Sequence, residues 1–503
     1  MREFDNLGDL IDHACDLDTC ALIDLGGERP PHQVTYRALD AMANGVANAL
    51  VQRGLARGDR IAILSANRTE FLAAYYGIMR AGGVAVPVNF KFPPTTIAYV
   101  LRDSDARLVF CDALRRKDVP AGLPVVEFGS NAADGFDAFL VRQPFIPIRP
   151  QPNETAMFLY TSGSTGRPKG VTLSHASHLW VAQTRMGGKD WSTQRLLVAA
   201  PLYHMNALAL ATFASVAHAT VVLLPQFHAR AYLEAIAHYR CTWLTGVPPM
   251  LAMMLREKDL IERTDLSSVQ YVRMGSAPVS QSLLDQLHVY LPQAAITNVY
   301  GTTEAGPVVF GPHPQGLSQP GLSVGTPHPA VRLRLVDASG READEGELEM
   351  QCPALMSGYH KLPEATARAL TADGYYRTGD IFRRDAHGFH YFVGRVDDMF
   401  VSGGENIYPS EVEQMLEQHP AIEQACVIPL ADEIKGMKPV AFVVLKPGTA
   451  ATEDDIKQYA LDNAPAYQHP RHVWCIAELP LAGTNKIDRQ SLVERAQRDV
   501  VHA

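Results

Sequence analysis

The sequence lacks the features that mark secreted, membrane-spanning and nucleic-acid-binding proteins. Its seven cysteines are dispersed over 503 residues without a C-x-x-C pair, so reduced thiols are expected rather than a disulfide framework or a zinc site. The first residues lack the basic and then apolar layout of a signal peptide. No basic tract occurs, and the formal net charge of −9 argues against a general nucleic-acid binder. We therefore expect a cytoplasmic protein without a nucleic-acid partner.

A long apolar stretch, residues 196–224, is the one segment that could suggest a membrane span. Polar and helix-breaking residues interrupt it at Pro201, His204, Asn206 and His218, and it ends in a β-branched run. These interruptions are unfavourable inside a bilayer. We expect a buried strand, helix and second strand instead, and no membrane span.

What the chain does contain is an ordinary globular composition, 47% apolar and 20% charged, with enough length for two to four structural units. Over the first 330 residues, short β-like runs such as 60–64, 84–88 and 106–110 alternate with helical patterns. The segment 69–81 predicts a helix with Thr69 as its N-cap. This alternation predicts α/β layers around mostly parallel sheets.

After about residue 330 the pattern changes. Apolar and polar side chains alternate, as in half-exposed antiparallel strands, over residues 331–336 and 346–350. A second break in composition follows at residues 394–398. The last hundred or so residues predict a small α+β domain, with a helix over 410–419 and strands over 423–428 and 439–445.

The segment 160–170, YTSGSTGRPKG, is the most informative part of the chain. Glycines let backbone N–H groups approach a polyanion, hydroxyls donate further hydrogen bonds, and Lys169 adds positive charge. The segment follows an apolar run, which predicts a strand leading into a phosphate-binding loop. It does not fit the Walker pattern, because Pro168 precedes the lysine and Gly170 follows it. The alternative for this composition alone is a solvated Ser/Gly turn.

Four further motifs follow in order: YGTTE at 300–304, YRTGD at 376–380, GRVDDMFVSGGEN at 394–406 and TNKIDR at 484–489. Together with the loop, their order and spacing closely resemble the adenylate-forming superfamily of acyl-CoA synthetases, adenylation domains and luciferases. Each motif is moderately specific by itself, and the resemblance covers nearly the whole chain.

The resemblance implies both a fold and a reaction. The fold would be a large N-terminal domain, residues 1–396, of layered α/β sheets plus a β-barrel-like subdomain, followed by a small mobile α+β domain, residues 397–503. A carboxylate would attack the α-phosphate of ATP, leaving an acyl-adenylate, and coenzyme A would then take the acyl group as a thioester. The small domain would rotate between the two steps about a hinge at Asp397.

The resemblance also assigns the nucleotide site. Lys169 and the loop would hold the β- and γ-phosphates, Thr303 would donate to the α-phosphate, and Glu304 would ligate Mg²⁺. Lys486 would bridge the carboxylate and the α-phosphate in the transition state. The other expected nucleotide contacts are Thr161, Ser162, Gly163, Ser164, Thr165, Gly166, Ser276, Ala277, Pro278, Asn298, Tyr300, Gly301, Thr302, Asp380 and Arg395.

Within that set, Tyr300 would stack on the adenine, and Asp380 would accept hydrogen bonds from both ribose hydroxyls. Arg395 would reach the ribose and phosphate region. For Tyr300 and Arg395 the alternative is a role in packing or in contact between the domains. A lysine or glutamate on a loop is commonly a solvated charge, but the matched motifs favour function for Glu304, Asp380 and Lys486.

For the acid, Pro201–His204 resembles the aromatic-plus-histidine motif of the family's acyl pocket. His204 would gate the pocket or orient the carboxylate, unless it is a satisfied core histidine. Asn206 departs from the small or apolar residue of many relatives, so it contacts either a polar group of the acid or the backbone. Other expected pocket residues are Met205, Val247, Met274, Gly275, Gly301 and Gly306, with core packing as the alternative for the two methionines.

For coenzyme A, the resemblance implies that Gly403 and Gly404 line a tunnel for the pantetheine arm, although a plain β-turn would also use glycine. Lys91, Tyr467 and Arg471 are weaker candidates for the acceptor nucleotide or the tunnel mouth. Gln468 stands where relatives often carry lysine, which puts one charged contact in doubt.

The resulting hypothesis is an AMP-forming ligase that joins an aryl or short- to medium-chain carboxylic acid to coenzyme A. A long-chain fatty acid is the nearest alternative for the acid, and a carrier protein or oxygen for the acceptor, although no carrier-protein segment follows the last motif. A binding protein that has lost the chemistry is disfavoured because Glu304 and Lys486 remain. A metal-dependent hydrolase would need clustered histidine and aspartate ligands. A homodimer and acetylation of Lys486 are suggested only by analogy.

Overall fold

The structure is a computed structural model of the chain and describes residues 3–26, 30–162, 167–402, 405–432, 434–482 and 486–501. Up to residue 299, strands and helices alternate. The strands are β1 (Cys20–Asp24), β2 (His32–Thr35), β3 (Arg60–Leu64), β4 (Val84–Pro87), β5 (Ala106–Asp112), β6 (Val125–Phe128), β7 (Thr155–Ser162), β8 (Pro168–Ser174), β9 (Arg195–Val198), β10 (Thr220–Leu223), β11 (Trp243–Gly246), β12 (Tyr271–Gly275) and β13 (Ala295–Val299). The helices are α1 (Tyr36–Gln52), α2 (Thr69–Arg80), α3 (Pro94–Asp103), α4 (Phe136–Phe139), α5 (His175–Met186), α6 (Met205–Ala217), α7 (Ala229–Tyr239), α8 (Pro248–Arg256), α9 (Lys258–Ile261) and α10 (Gln281–Tyr290).

From residue 300 onward strands predominate. They are β14 (Phe310–Gly311), β15 (Thr326–Pro327), β16 (Arg332–Val336), β17 (Glu345–Gln351), β18 (Gly358–Tyr359), β19 (Tyr376–Arg384), β20 (His390–Arg395), β21 (Phe400–Ser402), β22 (Glu405–Ile407), β23 (Ile422–Asp432), β24 (Gly436–Leu445) and β25 (Val473–Cys475). The helices are α11 (Pro363–Ala369), α12 (Pro409–Glu417), α13 (Glu453–Asn463) and α14 (Arg489–Val501).

Two seven-stranded sheets form the large N-terminal domain. The first has the order β13-β12-β11-β9-β10-β1-β2 and is parallel except for the last pair. The second has the order β18-β8-β7-β4-β3-β5-β6, with antiparallel pairing where β7 meets β8 and β8 meets β18. One continuous apolar core spans both sheets and the helices on them. The prediction of α/β layers around mostly parallel sheets is confirmed.

The long apolar stretch forms the expected buried passage of β9, α6 and β10. Helix α6 is apolar on all sides and almost entirely buried, as a helix packed within a protein core must be. Among the described residues, no helix is both long and apolar enough to cross a bilayer.

Helix α2 also forms where it is expected, but its predicted cap is wrong. Thr69 is the first helical residue, and the N-cap residue, Arg68, makes no capping bond with its side chain. The cap comes instead from Asp24 at the end of β1, whose Oδ2 accepts from both the backbone N–H and the hydroxyl of Thr69, at 2.8 Å each. The carboxylate satisfies an N–H group that the helix leaves unpaired.

The antiparallel elements after residue 330 are confirmed as well. Strands β16, β17, β19 and β20 form a four-stranded sheet, and Leu335, Leu348 and Phe382 contribute to its small apolar core. The small C-terminal domain is a five-stranded sheet of β21 to β25 that packs against α12, α13 and α14. The two domains touch through Arg256 of α8, which donates to Glu423 and Gln424 of β23, at 3.0 Å each.

All seven cysteines are free thiols. Cys111, Cys241 and Cys426 are buried, and Cys20 and Cys352 are half-buried. Only Cys15, ahead of β1, and Cys475, in β25, are exposed.

Candidate active site

A cavity of about 1120 Å³ lies beyond the carboxyl ends of β9, β11, β12 and β13. This is the edge at which open α/β sheets bind ligands. The residues that follow these strands in the sequence form one wall of the cavity. The four-stranded antiparallel sheet contributes Asp380 and Arg395. The C-terminal domain adds Lys486 and residues of α12 and β23. The cavity is therefore built from both domains.

Asp380, Tyr300 and Arg395 form a hydrogen-bonded group in this cavity. Asp380 is 5% exposed, and its two oxygens accept from the Tyr300 hydroxyl at 2.5 Å and from Arg395 Nη1 at 2.7 Å. Burial raises the pKa of Asp380, and the positive charge of Arg395 opposes that rise. Each carboxylate oxygen keeps a second lone pair, so the group can still accept from ligand hydroxyls.

Glu304 and Lys169 flank a second tyrosine. The Tyr359 hydroxyl donates to Glu304 Oε1 at 2.9 Å, and the Lys169 ammonium lies 5.2 Å from the centre of the Tyr359 ring. Burial raises the pKa of Tyr359, and the negative charge of Glu304 adds to the effect. The tyrosine thus stays protonated and fixes one oxygen of Glu304, while the other oxygen remains available to a cation.

Glu304 is the carboxylate of this cavity that is expected to bind a metal ion. The described residues contain no group of three or more histidine, cysteine, aspartate or glutamate side chains placed to hold a metal. This arrangement fits Mg²⁺, which is commonly bound by one or two carboxylates together with substrate phosphates and water.

Lys486 enters the cavity from the C-terminal domain. Its backbone carbonyl accepts from Ala482 N at 2.7 Å, shortly before α14 begins at Arg489. Loss of water contacts lowers the pKa of Lys486, with a contribution from the charge of Arg395 that Asp380 opposes. The same ammonium helps to lower the pKa of His204, so its charge acts on both Asp380 and His204.

His204 precedes α6 and lines the cavity. Its Nε2 is buried and, within the described residues, has no hydrogen-bond partner; the Tyr203 hydroxyl beside it is in the same state. Burial, helped by the charges of Lys486 and Lys91, lowers the pKa of His204 to about 4. The imidazole is neutral at pH 7 and can offer a hydrogen bond to a ligand without adding charge.

The cavity brings together most of the residues expected to bind nucleotide or acid. Its wall includes Thr161, Lys169, His204, Met205, Asn206, Val247, Gly275, Ser276, Ala277, Pro278, Asn298, Tyr300, Gly301, Thr302, Thr303, Glu304, Asp380, Arg395, Asp397 and Lys486. It does not include Met274, which is fully buried in β12, or Gly306, where an added Cβ would lie 2.8 Å from that of Ala354.

The remaining candidates lie elsewhere. Lys91, Tyr467 and Arg471 are outside the cavity wall, and Tyr467 packs against the core of the C-terminal domain. Ser162 ends β7. The loop glycines and hydroxyls at 163–166 and the glycines Gly403 and Gly404 lie outside the described residues.

Several cavity residues carry no motif and were missed by the sequence reasoning. The most notable are Arg185, Arg273 and Trp243, which line the part of the cavity beside β11 and β12. Arg273 had a recognisable signal, because an arginine in the middle of an otherwise apolar strand is unusual. Arg185 had none, since arginine is common in the last turn of a helix.

Comparison with known proteins gives matches over both domains. The family model for AMP-binding enzymes matches residues 14–360, and that for the AMP-binding enzyme C-terminal domain matches residues 411–486. Sulfoacetate–CoA ligase of Cupriavidus necator is 30% identical over 482 residues, covering 92% of this chain and 93% of that protein. The fatty acid–[acyl-carrier-protein] ligase ScoC of Streptomyces coeruleorubidus is 32% identical over 479 residues, covering 92% and 91%. Among solved structures, ATP-bound MatB from Rhodopseudomonas palustris has a TM-score of 0.88 at 28% identity, covering 97% of this chain and 98% of that one.

Proposed function

The chain belongs to the AMP-binding enzyme family and is an AMP-forming acid–CoA ligase, and we propose that it activates an aryl or short- to medium-chain carboxylic acid. The acid would become an acyl-adenylate in the cavity between the domains, and coenzyme A would then take the acyl group. The observation that carries this proposal is the convergence of Lys486 with Glu304, Asp380 and Arg395 in one cavity.

The first step requires a carboxylate to approach the α-phosphate of ATP, so two anions must meet. The Lys486 ammonium would lie between them and stabilise the charge of the transition state, because preorganised cations act strongly in a site shielded from water. Thr303 would donate to the α-phosphate. His204, neutral at pH 7, would orient the carboxylate through its unpartnered Nε2.

Nucleotide binding would use the groups around Asp380. The spare lone pairs of Asp380 would accept from the ribose hydroxyls, and Tyr300 would contact the adenine. Glu304 would hold Mg²⁺, with Tyr359 fixing its other oxygen. Mg²⁺ supplies positive charge that screens the phosphates of the bound nucleotide.

The size of the acid is argued from the cavity wall. Beyond His204, that wall is formed by Leu210, Trp243, Val247 and Met250, a surface suited to an aromatic ring or a short chain. Charged guanidinium groups of Arg185 and Arg273 also line this region, which opposes the entry of a long alkyl tail. A long-chain acid therefore remains the less favoured alternative.

The second step would use a different arrangement of the domains. We place the boundary at residue 396 and the hinge at Asp397, in the turn between β20 and β21, where its carboxylate lies 3.8 Å from Arg395. Rotation there would withdraw Lys486 and bring Gly403 and Gly404 to the acyl group. Lys91, Tyr467 and Arg471 stay candidates for contact with coenzyme A. A carrier protein is the alternative acceptor, in line with the Streptomyces relative.

The proposal is tested by incubating the purified protein with ATP, Mg²⁺, coenzyme A and a pooled set of carboxylic acids, and following AMP and acyl-CoA by mass spectrometry. Equal amounts of AMP and an acyl-CoA would support it and identify the acid. An acyl-adenylate without thioester would point to a carrier protein. Failure of every acid to give AMP would refute the proposed reaction. Repeating the assay without Mg²⁺ tests whether the reaction requires this metal ion. Light scattering of the purified protein tests whether it forms the expected homodimer.

A further inference from the structure

Two arginines face the cavity without a negatively charged partner. Arg185 lies in the last turn of α5, and Arg273 lies at the centre of β12. Within the described part of the chain, neither guanidinium makes an ion pair or a side-chain hydrogen bond, and the buried Arg185 Nε has no partner at all.

Two other enclosed arginines of this chain form ion pairs with carboxylates. Arg80 is 1% exposed and binds Asp40, the carbonyl of Gly8 and Asn44. Arg489 donates to Glu413 and to the carbonyl of Val427. Because a desolvated charge is costly unless it is paired, the fold elsewhere provides each such arginine with an acceptor. Arg185 and Arg273 depart from that rule at the cavity wall.

The positive charge of Arg273 also affects the pKa of Arg185. Burial lowers the pKa of Arg185 to about 9, and the positive charge of Arg273 contributes to this fall. Burial lowers the pKa of Arg273 as well. No carboxylate is among the charges that shift either pKa, and among the described residues neither guanidinium has an ion-pair partner.

A polar group beside the two arginines also lacks a hydrogen-bond acceptor in the part of the chain that the structure describes. Residues Trp243 and Thr245 of β11 pair with Tyr271 and Arg273 of β12, so alternate side chains of the two strands share one face. That face lines the cavity, and within the described residues the buried Trp243 Nε1 has no acceptor. The wall therefore holds an indole N–H and two guanidinium groups, all of them donors.

The position of these donors fits the remote end of a bound acid. Arg273 is two residues before Gly275 at the carboxyl end of β12, which places it about 6–7 Å along the strand from the nucleotide side of the cavity. Lys486 and His204 would serve the reacting carboxylate, so Arg185 and Arg273 are free to bind a different group.

We propose that the acid carries a second carboxylate or other oxyanion, which binds between Arg185 and Arg273 while the reacting carboxylate faces Lys486. This inference rests on the proposed ligase activity and specifies its substrate class. The second anionic group supplies the missing counter-charge, and guanidinium groups bind such oxyanions through paired hydrogen bonds. An acid with an apolar end would leave both cations desolvated and unpaired, which a site built for hydrogen bonding rejects strongly.

The test compares acids in matched pairs. Linear dicarboxylic acids of three to eight carbons are paired with monocarboxylic acids of equal length, and terephthalate with 4-methylbenzoate. We expect kcat/KM for AMP formation to favour the dianionic member of the best pair by about 100-fold or more. Equal or better use of the monocarboxylic acids would overturn the inference while leaving the ligase activity established. Absence of AMP with every acid would refute the ligase activity itself.

Variants assign the effect to the two arginines. Arg185→Gln and Arg273→Gln should each reduce the preference for dianionic acids at least 10-fold, chiefly by raising KM for the dianionic member of the pair. The control is Arg240→Gln, which replaces an exposed arginine that pairs with Asp265 at 3.5 Å. It should change neither the preference for dianionic acids nor the KM for them. An unchanged preference in both cavity variants would contradict the inference.

Stability separates this role from a structural one. Removing one of two half-buried, mutually repelling cations should leave the melting temperature of the substrate-free protein unchanged or raise it. A dianionic acid should raise the melting temperature of the wild type more than that of Arg273→Gln. If Arg273→Gln and Arg185→Gln both lower the melting temperature by several degrees and bind dianionic acids as the wild type does, the arginines are structural and the inference fails.

Discussion

Lys486 is the single residue on which the proposed adenylation depends most. Its ammonium brings a positive charge from the C-terminal domain to a cavity wall made largely by the N-terminal domain. We expect Lys486→Ala to slow adenylate formation by about 100- to 1000-fold, the usual effect of removing one preorganised group that stabilises a transition state. Thioester formation from supplied acyl-adenylate should persist, because that step is proposed to use another arrangement of the domains. Rapid-quench assays of the two half-reactions measure both rates.

Lys457→Ala is the control for that experiment. Lys457 lies in α13 of the same domain, pairs with Glu453 at 2.6 Å and is outside the cavity wall. It should leave both half-reactions unchanged. Equal loss of the two half-reactions in Lys486→Ala would contradict the division of labour between the steps.

Single residues differ in how far sequence could predict them. Lys486, Glu304 and Asp380 sit in local motifs, and the structure brings all three to one cavity. Arg185 and Arg273 could not be predicted as a pair, because one lies in a helix and the other in a distant strand, and only the tertiary fold brings them together. Whether a carboxylate lies beside these two arginines depends on the folded structure around them, and the neighbouring sequence does not indicate it.

Among the secondary-structure elements, helix α2 depends on a carboxylate from another element. Asp24 is 2% exposed and accepts from Thr69 twice, as well as from the backbone N–H of Gly26 at 3.1 Å. Asp24→Ala leaves these donors without their acceptor, so we expect the free energy of unfolding to fall by about 2 kcal/mol. Urea denaturation measures the change.

Asp190→Ala provides the comparison for α2. Asp190 is exposed and accepts from the backbone N–H of Ser192 in a turn, so its loss should cost less than about 0.5 kcal/mol. A similarly small effect of Asp24→Ala would show that α2 does not depend on this cap.

The α2 example also explains which features of the elements were predictable. The helix and the strands β3, β4 and β5 follow from local periodicity and were located to within about two residues. The cap was misassigned to Thr69 because the true acceptor, Asp24, lies 45 positions earlier in the sequence. A contact of that length is set by the fold and leaves no local signal.

In the whole molecule, Arg256 of the large domain contacts Glu423 and Gln424 of the small domain and so supports the observed arrangement of the two. We expect Arg256→Ala to lower the adenylation rate about 3- to 10-fold, because a part-buried pair contributes about 1 kcal/mol to the domain arrangement. Thioester formation from supplied acyl-adenylate should be unchanged. Single-turnover assays of each half-reaction provide the measurement.

Arg230→Ala is the matched variant for this contact. Arg230 pairs with Glu257 and Asp259 within the large domain, so its loss should not affect the balance between the half-reactions. If Arg256→Ala slowed both half-reactions equally, the contact would not select one domain arrangement.

Three buried histidines outside the cavity make the whole fold sensitive to acid. Burial lowers the pKa of His175 and His390 to about 4 and that of His178 to about 3. Between pH 6.5 and those values the unfolded chain binds protons that the folded chain does not, so stability is complete above pH 6.5 and falls as the pH is lowered. Each histidine should contribute a slope of about 1.4 kcal/mol per pH unit.

Urea denaturation between pH 7.5 and 5.5 tests this sensitivity. His178→Gln should reduce the mean slope of stability against pH over this range by about 0.7 kcal/mol per unit, whatever its effect on stability at pH 7.5. His228→Gln replaces an exposed histidine and should keep the wild-type slope. A wild-type stability that stays constant over this range would contradict the expectation.

The distribution of the free thiols has a practical consequence for observing the domains. Cys15 lies beside the first sheet of the large domain and Cys475 in the small domain, while the other five thiols are buried or half-buried. The unaltered chain therefore offers one accessible attachment point for a fluorescent dye on each domain. A donor and acceptor placed there would turn rotation about the proposed hinge into a change in energy transfer, so the two half-reactions could be followed as distances in single molecules during turnover.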